Sequence, residues 1–103
     1  MGNYSLEKEI EKVEESIRIC KLNVKNQEKK LIESNKKTAI IQSKMASINS
    51  LPANEREELL NIDNRLKCQT NLQKELILEC KQTLKLYEKM LQRLKCNLIC
   101  NNL

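Results

Sequence analysis

A chain of 103 residues has room for one small domain, and this one contains no Trp, Phe or His, with Tyr4 and Tyr87 as its only aromatics. Without His the commonest general base and metal ligand is missing, one glycine cannot build a phosphate-cradling loop, and no Ser or Cys has a recognisable base beside it. Neither an enzyme nor a cofactor or small-molecule site is therefore expected.

The net charge of +5 comes from 19 basic and 14 acidic residues that interleave, as in EKEIEKVEESIR. That is the pattern of a solvated helix surface rather than of a concentrated basic arm, so nucleic acid is not the expected partner. The five cysteines are Cys20, Cys68, Cys80, Cys96 and Cys100. Their odd number, and a start (MGNYSLEKEIEK) without the apolar stretch of a secretory signal, predict reduced thiols and an intracellular location, cytoplasmic or nuclear. No run approaches the ~18 apolar residues of a membrane span. Cys96 and Cys100 stand four apart in CNLIC, but zinc prefers four ligands. The expected role of these thiols is small apolar filler, with no metal site.

The first predicted helix covers about residues 4–48. Its apolar residues step by four and three, and sort into heptads with Ile10, Ile17, Val24, Leu31, Thr38 and Met45 at position a. Leu6, Val13, Cys20, Gln27, Ser34, Ile41 and Ile48 fall at d. Heptads kept in phase over this length signal a coiled-coil helix. Glu7, Glu14, Lys21 and Glu28 on one flank, with Glu9, Ser16, Asn23 and Lys30 on the other, leave it a single apolar stripe.

SLPANEREEL interrupts the pattern, and a connector is expected at 49–53. Pro52 suits the first turn of a new helix, and Asn54 with Glu57 three residues later has the form of an N-cap pair. The second predicted helix runs from about 54 to 100. Its expected seam is Leu59, Ile62, Leu66, Gln69, Gln73, Leu76, Cys80, Thr83, Tyr87, Met90 and Leu94.

Two helices joined by so short a connector should fold back on each other, giving an all-α, antiparallel, coiled-coil hairpin as a single module over 1–103. A register in which facing residue numbers sum to about 100 sets Leu6 against Leu94, Ile10 against Met90, Val13 against Tyr87 and Ile17 against Thr83. It also pairs Cys20 with Cys80, Val24 with Leu76, and Gln27 with Gln73. An amide facing an amide satisfies itself, whereas Gln against Leu leaves a buried amide unpaired.

The second helix has more apolar surface than this seam uses. Ile77, Leu84, Leu91 and Leu98 form a third column, with Leu86 beside it. An arc this wide marks a helix with more than one neighbour, and a lone hairpin cannot enclose a core. Ile77, Leu84, Leu86, Leu91 and Leu98 are therefore the expected partner interface, by which hairpins pair into a homodimeric four-helix bundle or bind another helical protein. Function would then be assembly: a non-enzymatic scaffold or adaptor in a cytoskeletal, chromosome-associated or trafficking complex. The alternatives are a basic nucleic-acid-binding hairpin and, behind it, a thiolate metal-binding protein.

Overall fold

The computed structural model describes residues 2–102, with side-chain exposure described for 5–101. Two long helices, α1 (Gly2–Met45) and α2 (Ala53–Asn102), pack against each other, and no strand occurs among the described residues. Between them lies one turn of 3-10 helix, Ile48–Ser50. The chain divides into two contact units, Met1–Lys25 with Leu78–Leu103, and Asn26–Ile77.

The first helix ends at Met45, short of the expected 48, and the connector explains why. Ser47, Ser50 and Leu51 donate their backbone N–H groups three residues back, to Lys44, Ser47 and Ile48, at 3.1–3.2 Å. The Ser50 hydroxyl also donates to the Ser47 carbonyl at 2.7 Å. Serine hydroxyls that bond nearby carbonyls compete with the helical ladder, and a tightened last turn is the usual result. Leu51 is extended (φ −90°, ψ 151°), as a residue before proline must be.

The turn is made without any positive-φ residue among those described. The Pro52 carbonyl then accepts the first bond of α2, from the Arg56 N–H at 3.0 Å. Pro52 is thus the capping position, and Asn54 sits inside the first turn rather than ahead of it. The expected Asn54–Glu57 capping pair is corrected accordingly.

In the 26–77 unit the two segments run antiparallel. Gln73 Nε2 donates to Gln27 Oε1, and Gln42 Nε2 donates to Asp63 Oδ1 at 2.9 Å; the partner's number falls as the α1 number rises. In the 1–25 and 78–103 unit, Ile10, Val13 and Ile17 are buried at 7–8% exposure. Leu6, Cys20, Val24, Cys80, Leu84, Tyr87, Leu91, Leu94 and Leu98 are half-buried there.

Candidate functional site

The covered positions along α2 are Leu59, Asp63, Leu66, Thr70, Gln73, Ile77, Cys80, Leu84, Tyr87, Leu91, Leu94 and Leu98, with Ile62 beside them. This is a seam of alternating four- and three-residue steps. It differs from the expected one. Leu76 and Met90, expected in the seam, are 38% and 47% exposed, and Gln69 and Thr83 are exposed with them. Ile77, expected to await a partner, is 8% exposed, and Leu84, Leu91 and Leu98 are half-buried against α1. Of the expected interface, only Leu86 stands in solvent, at 65% exposure.

The physical reason is a choice between two columns. The column Leu59, Leu66, Gln73, Cys80, Tyr87, Leu94 forms a heptad seam equally well with either flank. One flank offers Leu76, Thr83, Met90 and Asn97; the other offers Ile77, Leu84, Leu91 and Leu98. Burying a Leu or Ile side chain contributes roughly 1.5–3 kcal/mol, and Thr and Asn contribute far less. The aliphatic flank therefore turns inward. Because α2 keeps one helical phase, the same choice carries Asp63 and Thr70 inward as well.

Asp63 is the consequence that sequence reasoning missed. It is 3% exposed, and both of its oxygens are engaged: Oδ1 accepts from Gln42 at 2.9 Å, and Oδ2 faces Lys67 Nζ at 2.9 Å. The signal was available, since 63, 70 and 77 continue the column of 84, 91 and 98. Near it, Thr70 Oγ1 is buried without a hydrogen-bond partner, and the Thr38 hydroxyl donates to the Ser34 carbonyl at 2.8 Å. The Gln27–Gln73 pair stands where the register places it. Cys20 and Cys80 are both half-buried free thiols.

Eleven large apolar side chains remain outside among the described residues. The 26–77 unit exposes Ile32, Ile40, Leu60, Leu72 and Leu76, and the other unit exposes Ile19, Leu22, Leu78, Leu86, Met90 and Ile99, all at 38–65%. Each unit thus carries an i,i+4 pair on the outer surface of α2: Leu72 with Leu76, and Leu86 with Met90. In the 26–77 unit an open groove beside the seam is lined by Lys37, Ile40, Ile41, Ile62 and Leu66.

A second ion pair, on α1, lies at the surface. Arg18 Nε donates to Glu15 Oε2 at 2.9 Å. That hydrogen bond holds the Glu15 carboxyl below its ordinary value and raises the Arg18 guanidinium, but both side chains are more than half exposed, where ion pairs contribute little. No group of three or more His, Cys, Asp or Glu capable of holding a metal occurs among the described residues. No described helix is long and apolar enough to cross a membrane. No protein-family model matches the sequence, and comparisons with curated proteins and with solved structures find no similar chain.

Proposed function

We propose that the chain is a non-enzymatic assembly subunit, a helical hairpin that joins a second copy of itself into a four-helix bundle. It would serve as scaffold or adaptor in a cytoskeletal, chromosome-associated or trafficking complex. One observation carries this proposal: among the described residues, eleven large hydrophobic side chains are exposed while five hydrophobic residues are buried. Scattered single apolar residues on a surface need no explanation, but recurring i,i+4 pairs on one long helix form the kind of patch that marks an interaction surface. The Leu72/Leu76 and Leu86/Met90 pairs replace the column proposed from sequence as the association residues.

The test is absolute mass by light scattering across a concentration series, with circular dichroism alongside. The wild-type chain is expected to dimerise, and Leu86→Glu with Met90→Glu is expected to abolish the dimer while leaving helicity intact. A wild-type chain that stays monomeric at every concentration removes self-association. A dimer that survives both substitutions places the interface elsewhere.

A second function has one feature in its favour. Lys81, Lys85, Lys89 and Arg93 follow one another at four-residue spacing on α2, all exposed, as a nucleic-acid-binding hairpin would need. If these four cations met phosphates, binding would weaken with salt at a log–log slope of about −3 to −4. Salt-independent retention, or none, eliminates this function.

A further inference from the structure

We infer that Cys96 and Cys100 form a two-thiolate site for a soft monovalent metal ion, of which copper(I) is the biological representative. Both thiols are free and exposed, and both lie on α2, four residues apart, which sets them one above the other on a single face. Three physical points separate this site from the other roles open to a thiol pair.

The first is distance. Side chains at i and i+4 on a helix have Cβ atoms roughly 5–6 Å apart, whereas a disulfide needs about 3.5–4.5 Å. Direct oxidation would require the end of α2 to unwind. A single metal ion between the sulfurs relaxes that demand: at roughly 2.3 Å per metal–thiolate bond, as zinc shows, two bonds in line span about 4.6 Å. The second point is ligand number. Zinc closes its structural sites with four ligands, and no third His, Cys, Asp or Glu joins this pair among the described residues. Two soft thiolates with nothing further favour copper(I) among the biological metals.

The third is charge. Binding breaks two S–H bonds, forms two metal–sulfur bonds and releases two protons to solvent, so a +1 ion leaves a bis-thiolate of net charge −1. The C-terminal end of a helix is a poor place for an anion, because the macrodipole is negative there. On α2 itself the neighbouring side chains oppose that bias. From residue 89 onward the chain has Lys89, Arg93 and Lys95 and no acidic residue, and Lys89, Gln92, Arg93, Cys96 and Asn97 line one open groove. The other candidate pair, Cys20 and Cys80, is half-buried in the seam.

The experiment is an anaerobic titration of the full reduced chain with copper(I) against a chromophoric copper(I) chelator, with helicity followed in parallel. One equivalent is expected to bind per chain. Cys96→Ala and Cys100→Ala should each weaken that equivalent at least tenfold, and Lys89→Glu with Arg93→Glu should weaken it several-fold. Cys68→Ala and Cys20→Ala should leave it unchanged. All of the substitutions expected to weaken binding fall at exposed positions, so loss of binding with helicity intact reports the site and not the fold.

An equivalent that survives Cys96→Ala, or one lost in Cys20→Ala or Cys68→Ala, overturns the assignment. So does a metal-to-chain ratio of one to two, which would show two copies sharing one ion. Because metal is scored per chain, this result is independent of whether the hairpin self-associates.

Discussion

Replacing Asp63 with leucine should leave the protein as stable as before or make it more so, although the substitution removes a hydrogen bond and an ion pair. The Asp63 side chain is 4% exposed, and taking a carboxylate out of water costs several kcal/mol even after relaxation. Against that cost stand two contacts. The hydrogen bond from Gln42, made to a charged acceptor, contributes about 1.5–3 kcal/mol. Lys67 is 58% exposed, and a pair with one partner so wet contributes about 0–1 kcal/mol. The two sides nearly cancel, while leucine at this position would add apolar burial against α1. The expected change is thus between zero and about 2 kcal/mol of stabilisation, since apolar replacements of buried ionic groups are commonly neutral or favourable. For a domain of this size 1 kcal/mol moves the melting midpoint by roughly 4–8 °C. Urea and thermal melts followed by circular dichroism, at one fixed protein concentration, would read it directly. A double-mutant cycle adds the decisive comparison: Gln42→Ala should cost about 1.5–3 kcal/mol in the wild-type chain and almost nothing in the Asp63→Leu background. A loss of more than about 1 kcal/mol in Asp63→Leu, or additive effects in the cycle, would refute the reasoning.

Other substitutions probe the same seam. Gln27→Leu or Gln73→Leu alone strands the partner amide and should cost about 1–3 kcal/mol, while the double replacement should recover most of it; denaturant midpoints of the three variants decide this. Thr70→Val keeps the shape of the side chain and removes a buried hydroxyl without a partner. It should raise stability by about 1 kcal/mol, and a lowered midpoint would mean that the hydroxyl is satisfied in solution. Leu91→Ala should destabilise by about 2–3 kcal/mol, whereas Leu86→Ala, at 65% exposure, should stay within about 0.5 kcal/mol under monomeric conditions. Equal effects from these two would mean that Leu91 is no better covered than Leu86, against the seam described.

Much of this architecture can be read from the amino acids, and the places where reading fails have definite causes. The stepping of Ile10, Val13, Ile17, Cys20 and Val24 by three and four permits one buried stripe, so α1 was legible. Pro52 amid Ser and Asn marked the turn. Gln27 and Gln73 betrayed the register because two amides inside an aliphatic seam each need a partner, and each is the best one available to the other. The inward face of α2 was ambiguous because two apolar columns flank the same central column. Counting heptads does not choose between Leu76, Thr83, Met90 and Ile77, Leu84, Leu91. Summing the apolar area each would bury does choose. Asp63 escaped notice for the opposite reason: an isolated acid in NIDNRLK looks like surface charge, and only the phase set by Leu84 and Leu91 brings it inside. The end of α1 depended on serine hydroxyls, Ser47 donating to the Lys44 carbonyl at 3.4 Å and Ser50 to that of Ser47, and their competition with the ladder leaves no mark on hydrophobic periodicity.

The two contact units divide the work of the seam unequally, and that inequality should be visible in amide exchange. Covered positions in the 1–25 and 78–103 unit are almost wholly aliphatic or thiol: Ile10, Val13, Ile17, Cys20, Val24, Cys80, Leu84, Leu91 and Leu94. The 26–77 unit also covers apolar residues, Leu31, Ile41, Met45, Ile48, Leu51, Leu59, Ile62, Leu66 and Ile77, but interleaves them with Gln27, Ser34, Thr38, Asp63, Thr70 and Gln73. Apolar burial supplies most of the free energy of packing, whereas a satisfied polar contact contributes a net ~1 kcal/mol and resists only those shifts that would unpair it. Aliphatic layers therefore hold the helices together, and the polar layers specify alignment. Local opening follows the density of buried apolar contact. Under native conditions, the amides of residues 10–24 and 80–94 should be the slowest to exchange, and those of 27–38 and 63–73 should open at a free energy lower by roughly 1–3 kcal/mol. Asp63→Leu should narrow that gap by slowing exchange in 27–38 and 63–73 alone. Uniform protection along both helices would mean that the polar layers hold as firmly as the aliphatic ones. Alignment and cohesion would then reside in the same residues.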